Sequence, residues 1–336
     1  MKNAWITYDE TKIKEVMNLS DDYMAFLSKG KTERKCVSLI LEEAKKHGYK
    51  DINEIIKNKE SLKPQDKVYM NMMNKSVALM HIGNRPIEEG MNILGAHIDS
   101  PRLDLKQNPL YEDGEIAYFD THYYGGVKKY QWVTIPLAIY GVVCLKDGST
   151  IEIEVGDKEE DPVFVISDLL VHLSADQMQK KASEVIEGEN LNVTVGSIPL
   201  NEEEKEPVKA NILKLLKNKY GFEEEDFISA ELEVVPSGKA RSCGFDESMI
   251  LGYGHDDRIC AYTSLRAQLE AIDLERTGVC LLVDKEEVGS NGATGMKSKF
   301  FENFVAEVMN AMNCYNELAL KRAFINSDML SSDVSA

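Results

Sequence analysis

The stretch that decides the fold is Asn92-Ile93-Leu94-Gly95-Ala96-His97-Ile98-Asp99-Ser100-Pro101-Arg102. Its first half is a short apolar run, and at His97 it turns abruptly polar. A buried strand that delivers polar side chains at its carboxyl end is where open α/β sheets place their sites. A second stretch has the same design. Gly278-Val279-Cys280-Leu281-Leu282-Val283 is continuously apolar, the mark of a strand covered on both faces, and it delivers Asp284-Lys285-Glu286-Glu287 and then the glycine-rich Val288–Gly295. Helical spacing surrounds both: Val37, Ile40, Leu41 and Ala44 before Gly48; Ile259, Tyr262, Leu265, Leu269 and Ile272 after His255-Asp256-Asp257-Arg258; and Phe301, Val305, Val308 and Met312. Two β-like runs, Val68–Met73 and Val77–Ile82, are broken at Asn74-Lys75. The fold class expected is α/β.

Between about Lys106 and Pro236 the composition shifts to β signals: Tyr118–Tyr124, Gln131–Leu145, a turn at Lys146–Ser149, then Ile151, Ile153 and Val155 alternating with Glu152 and Glu154. An acidic loop, Glu202–Glu206, leads into a helix with Val208, Ile212, Leu215 and Leu216 on one face, and Ala230–Val235 reads as a further strand. The expected organisation is one α/β domain, 1–106 with 237–336, carrying an inserted, mostly β domain over 107–236. A length of 336 residues suits two domains.

With 57 acidic and 39 basic side chains the net charge is −18, while 43% of residues are hydrophobic and only nine are proline. That apolar content favours a folded acidic protein over a disordered one. The net charge of −18 disfavours nucleic-acid binding, since no basic stripe offsets the repulsion of phosphate. The six cysteines are scattered without paired spacing and are expected to be reduced core residues of a cytoplasmic protein. The start, Met1–Lys12, contains no apolar export segment, and the longest nearly apolar stretch, Val133–Leu145, is too short to span a bilayer and reads as buried strand.

Three clusters stand at the ends of predicted buried elements: His97 with Asp99, His255 with Asp256 and Asp257, and Glu286 with Glu287. Imidazole with carboxylates suits zinc, manganese or cobalt, and a metal pair needs one carboxylate to bridge it. Burying several carboxylates without a cation would cost several kcal/mol each, roughly. If the strand runs on into Glu286-Glu287, successive side chains point oppositely, so one carboxylate binds metal while the other faces a metal-bound water. The glycines at 289, 292 and 295 lack the GxGxxG spacing and follow two carboxylates that would repel a pyrophosphate. No HExxH, GxSxG, Walker A, CxxC or EF-hand motif occurs.

Several ordered motifs carry a family resemblance: Gly95–Pro101, Tyr123–Gly126 with Trp132, Leu170–Leu173, Gly244–Glu247, Asp256-Asp257, Asp284–Ser290 and Ser331–Val334. Together they resemble the aspartyl aminopeptidase and vacuolar aminopeptidase I family of dinuclear metallo-aminopeptidases, over nearly the whole chain. The resemblance implies a mixed sheet flanked by helices, as in zinc exopeptidases, with an inserted dimerisation domain, and two divalent ions per subunit, zinc first, with manganese or cobalt as alternatives. It implies His97 and Glu287 as terminal ligands on separate metals, Asp256 as the bridge, and Asp333 on the metal opposite Glu287. Glu286 resembles the general base, Asp99 the acid that orients a ligand imidazole, and His172 a histidine that reaches a neighbouring subunit's site. The implied partners are peptides, with acidic first residues in some members, and copies of the chain itself, as homodimers and then a dodecamer; neither nucleic acid nor membrane is expected.

Asp257 either shares the bridging duty or only hydrogen-bonds Asp256; Asp328 is a weaker candidate than Asp333, and His255 reads as structural. The family pattern adds a histidine ligand from a C-terminal segment, and the sequence stops at Ala336, so the catalytic domain is expected to be incomplete there. The leading expectation is a metallo-aminopeptidase. A dinuclear amidase or carboxypeptidase on the same scaffold, and a non-catalytic assembly subunit lacking one ligand, are the alternatives.

Overall fold

The computed structural model describes residues 3–201 and 204–335, so Glu202 and Glu203 of the acidic loop lie outside the described residues. It divides into two compact units: one runs to Ser100 and resumes at Lys239, and the other is Pro101–Gly238.

In the first unit six strands lie in the spatial order Lys50–Asp51, Lys67–Met72, Ser76–His81, Gly278–Val283, Asn92–His97, Asp328–Ser331. The second and third pair antiparallel around a turn in which Met73 and Asn74 take φ of 55° and 56°, left-handed values suited to a tight hairpin. Gly278–Val283 then lies antiparallel to Ser76–His81 and parallel to Asn92–His97, with Val283 opposite His97. Asp328–Ser331 runs parallel along the other side, Ser331 opposite Gly95. Three segments therefore leave the sheet at one carboxyl edge, bringing His97, Asp284–Glu287 and Ser332–Asp333 to the same end.

The continuous apolar run at Gly278–Val283 has a direct cause, because strand side chains alternate between faces. Val279, Leu281 and Val283 pack with Phe300, Phe304, Val305 and Val308 on one side. Cys280 and Leu282 pack with Tyr23, Val37, Ile40, Tyr262 and Leu265 on the other. Each such side chain contributes about 1.5–3 kcal/mol when fully buried. The flanking helices include Glu10–Lys29, Glu33–Lys46, His255–Glu270 and Phe300–Ala311. Glu33–Lys46 begins where Thr32 Oγ1 accepts the Lys35 N–H, and the chain turns at Gly48, whose φ of +83° favours glycine.

The second unit is an antiparallel sheet in the order Thr150–Val155, Leu137–Cys144, Ala230–Pro236, Arg102–Asp113, Ile116–Tyr124, Val193–Gly196, with the helix Pro207–Tyr220. Ile153 and Val155 are buried while Glu152 and Glu154 are not, as their alternation predicts. Among the described residues no helix is long and apolar enough to cross a membrane.

Four expectations are corrected. The strand expected over Gln131–Leu145 starts only at Leu137, just past Pro136, which cannot donate to a ladder. Ile272 lies beyond the helix, which ends at Glu270, and is exposed. All six cysteines are free, yet only Cys36 and Cys280 are buried, and Cys144 and Cys314 are exposed. The strand ends at Val283, and Glu286–Val288 is a 3-10 turn entered through Lys285 in the left-handed region (φ 69°), so side-chain alternation does not divide the two glutamates.

Candidate metal centre

His97 closes its strand and is almost fully buried. Its Nδ1 donates to the Asp99 carbonyl at 2.9 Å and lies 3.4 Å from Asp99 Oδ1. That bond leaves Nε2 as the outward atom, 3.3 Å from Asp256 Oδ1, 3.8 Å from Glu286 Oε2 and 3.9 Å from Asp333 Oδ1. Ligand atoms of His97, Asp256 and Asp333 all lie within 4.8 Å of one another. Burial opposes charge on the imidazole, but the Asp99 hydrogen bond and charge, with Asp257, outweigh it and raise His97 to about 9.

The fully buried Asp99 carboxylate also accepts the backbone N–H groups of Glu286 and Glu287, each at 3.2 Å. One acid thus ties the ligand-bearing strand end to the glutamate turn. Glu287 is half-buried, and its carboxyl is pushed up to about 7, first by burial and then by Asp256, Asp99 and Glu286, with His97 opposing. It does not fall within the His97–Asp256–Asp333 group.

Asp256 and Asp257 precede the regular part of their helix, with non-helical backbone angles and a cis peptide between them. Ser100 Oγ donates to the Asp256 carbonyl at 2.7 Å, and Arg258, buried, donates to the Ile98 and Lys31 carbonyls. Gly254 stands just before, at φ +85°, where any side chain would collide with the Arg258 guanidinium. Asp257 is wholly buried beside Cys260, and burial raises it to about 6. His255 is engaged elsewhere: Nε2 donates to the Ile250 carbonyl, so Nδ1 accepts from the Tyr23 hydroxyl at 2.9 Å. Asp328 pairs with Arg276 and stays exposed. His172 sits exposed in the other unit, in the 3-10 turn Val171–Leu173.

The donor set of one imidazole and clustered carboxylates fits a borderline divalent cation such as zinc. Comparison with known proteins agrees. The family described as "Aminopeptidase I zinc metalloprotease (M18)" matches residues 26–336. This chain belongs to the M18 family. The "Probable M18 family aminopeptidase 1" of Clostridium acetobutylicum is 58% identical over 336 residues, covering all of this chain and 72% of that protein. The crystal structure of aminopeptidase I from the same organism superposes with a TM-score of 0.91 at 56% identity, covering 100% of this chain and 73% of that one. The M18 aminopeptidase structure from Thermotoga maritima gives 0.93 at 44% identity, covering 100% and 72%. The structure of a Saccharomyces cerevisiae dodecamer shares the fold, with a TM-score of 0.71 at 20% identity over 96% of this chain and 72% of that one.

As an M18 member the chain is a zinc-dependent aminopeptidase, acting on peptide bonds. Behind its glutamate turn lies a network that sequence reasoning missed. Lys75 Nζ sits 2.9 Å from Glu33 Oε1 and 3.7 Å from Asp284 Oδ2, with both acids fully buried. Thr294 Oγ1 donates to Asp284 Oδ2, while Ser76 Oγ donates to the Thr294 carbonyl and accepts the Asp284 N–H. The two ends of the loop that carries Glu286 and Glu287 are therefore pinned together. Nothing local marked Lys75, which reads in sequence as a solvated turn residue. The signal available was Asp284 itself, a lone acid closing an apolar strand.

Proposed function

We propose that this M18 aminopeptidase hydrolyses N-terminal residues from peptides with two divalent ions, using His97 and Asp333 on one, Glu287 on the other and Asp256 between them. The observation that carries the reading is the convergence of Asp256, Glu286 and Asp333 on His97 Nε2 within 3.3–3.9 Å. Zinc bound there would polarise the scissile carbonyl and make water acidic enough to attack near neutral pH. Glu286, about half exposed and facing that cluster, takes the proton from the attacking water and hands it to the leaving amine. Asp99 holds the His97 ring in the orientation that presents Nε2 and fixes the backbone of the glutamate pair.

The same proposal extends to assembly and place of action. His172 is flanked by exposed Leu169, Leu170, Val171 and Leu173, an apolar patch of the kind that marks a protein contact. It supports a homodimer through the 101–238 unit, with His172 serving a neighbour's site and stabilising the oxyanion, and dimers building a dodecamer. Six free cysteines support a reducing, cytoplasmic compartment. The deciding experiment is hydrolysis of aminoacyl and N-blocked substrates, acidic and neutral, by protein reconstituted with zinc, manganese or cobalt. Turnover of free-amine substrates alone is expected. Inactivity with every metal, or equal turnover of N-blocked peptides, overturns the reading.

A further inference from the structure

Glu286 and Glu287 ride on an excursion of the chain whose two ends lie side by side, Asp284 forming a parallel bridge with Gly295. Asp284, Thr294 and Gly295 are buried, and no residue between Asp284 and Thr294 is. Gly289 and Gly292 stand in that stretch at φ of 92° and 101°. A loop with so little packing of its own opens locally at small cost, yet a catalytic group must be held within about 0.5 Å of its productive position. Asp99 grips the loop at the glutamates themselves. Two hydroxyls close its neck. Ser76, fully buried, opens the strand beside Gly278–Val283, in the register that sets Val77 opposite Leu282. Its Oγ accepts the Asp284 N–H at 3.0 Å and donates to the Thr294 carbonyl at 2.5 Å, while Thr294 Oγ1 donates to Asp284 Oδ2 at 2.7 Å. A side chain at Gly295 would stand 2.3 Å from the Ser290 carbonyl oxygen, so glycine alone lets the loop close this tightly.

Stability alone does not call for this chemistry. Buried polar clusters are often replaced by apolar residues of similar volume without loss. Hydrogen bonds add a set distance and direction for each contact, which apolar packing leaves free. Lys75 and Glu33 lie one step further out, where the ammonium offsets the Asp284 charge; the two hydroxyls carry no charge and act through geometry. Neither Ser76 nor Thr294 lines the cavity around His97, Glu286 and Asp333, so neither touches the reacting atoms. We propose, resting on the reading of Glu286 as the general base, that Ser76 and Thr294 are positioning residues for peptide hydrolysis. Their clasp on Asp284 sets where the loop holds the Glu286 carboxylate, 3.8 Å from His97 Nε2.

The test combines Thr294→Val, which keeps the side chain's volume and removes its donor, with Glu286→Gln in a double-mutant cycle on the whole chain loaded with zinc. Thr294→Val is expected to lower kcat about 10–100-fold with KM within about twofold, and Thr294→Ser, which keeps the hydroxyl, to recover most of the loss. In the Glu286→Gln background the same change should cost less than about threefold, because no base is left to misplace. Hydrogen exchange on the metal-free chain reads the clasp without turnover: Thr294→Val should speed exchange at the Glu286, Glu287 and Ser290 amides about tenfold and leave Asn92–His97 unchanged. Ser76→Ala is expected to reproduce both effects, and it decides the matter if Thr294→Val fails to fold. A wild-type kcat beside a lowered Tm, or unchanged exchange in the loop, overturns the proposal. So does an equal loss of kcat in both Glu286 backgrounds, which leaves the general-base reading standing. A wild-type kcat in Glu286→Gln alone overturns that reading and the proposal with it.

Discussion

The roles proposed for Glu286 and Asp99 are separable by substitution. Glu286→Gln keeps the side chain's shape and removes its basicity. We expect kcat to fall by about 10²–10⁴-fold, with zinc content by mass spectrometry unchanged; a wild-type kcat in this variant would remove Glu286 from proton transfer. Asp99→Asn acts differently, because the amide keeps one acceptor where two backbone N–H groups are now served, and it removes the negative charge 3.4 Å from His97 Nδ1 while leaving the backbone carbonyl bond to the ring in place. Leaving one buried donor unmatched costs about 1–3 kcal/mol, and losing the charge behind the imidazole should weaken metal binding about 10–100-fold. Thermal melts and chelator competition read the two effects independently, and unchanged metal affinity would reduce Asp99 to a purely structural acid.

At the scale of the elements, the loop bearing Glu286 and Glu287 depends on what lies under it. Lys75→Met would leave Glu33 and Asp284 buried without the Lys75 ammonium, and removing one partner of a buried ion pair costs about 3–5 kcal/mol. The double variant Lys75→Met, Glu33→Gln restores charge balance and should recover part of that loss in urea midpoint; a double variant no better than the single one would show that charge is not the cause. Much of this architecture was legible in the sequence. A strand buried on both faces must be apolar at every position, so Gly278–Val283 declared itself, the short apolar run Ile93–Ala96 stood out beside it, and the polar residues after each marked the site. What stayed hidden depends on contacts distant in sequence. Lys75 meets Asp284 only because two strands lie side by side, and the glutamate turn replaces an extended strand because Asp99, far upstream, accepts both of its N–H groups. The helix Pro207–Tyr220 carried a correct periodicity, but periodicity states which face is apolar and not how completely the sheet covers it.

For the whole molecule, the net charge of −18 is concentrated in part where it opposes folding. Asp99, Asp256, Asp257, Glu286, Glu287 and Asp333 crowd around one imidazole, and burial together with mutual repulsion holds Asp257 near 6 and Glu287 near 7. A divalent cation binds these groups only in the folded chain, so its binding free energy adds to stability; at a free concentration of about a hundred times Kd that is roughly 2.7 kcal/mol. For a unit of this size the gain corresponds to a Tm rise of roughly 5–10 °C. Chelation should therefore lower Tm by that amount, and zinc should restore it. Hydrogen exchange gives the location. Added metal should protect amides at 97–100, 256–258, 284–290 and 331–334, where the site's side chains and the backbone bonds of Asp99 and Ser100 converge, while the strands Leu137–Cys144 and Thr150–Val155 of the other unit stay unchanged. Protection spread evenly through both units, or a Tm indifferent to chelator, would mean that the carboxylate cluster is not where the metal acts, and the assignment of His97, Asp256, Glu287 and Asp333 would fall with it.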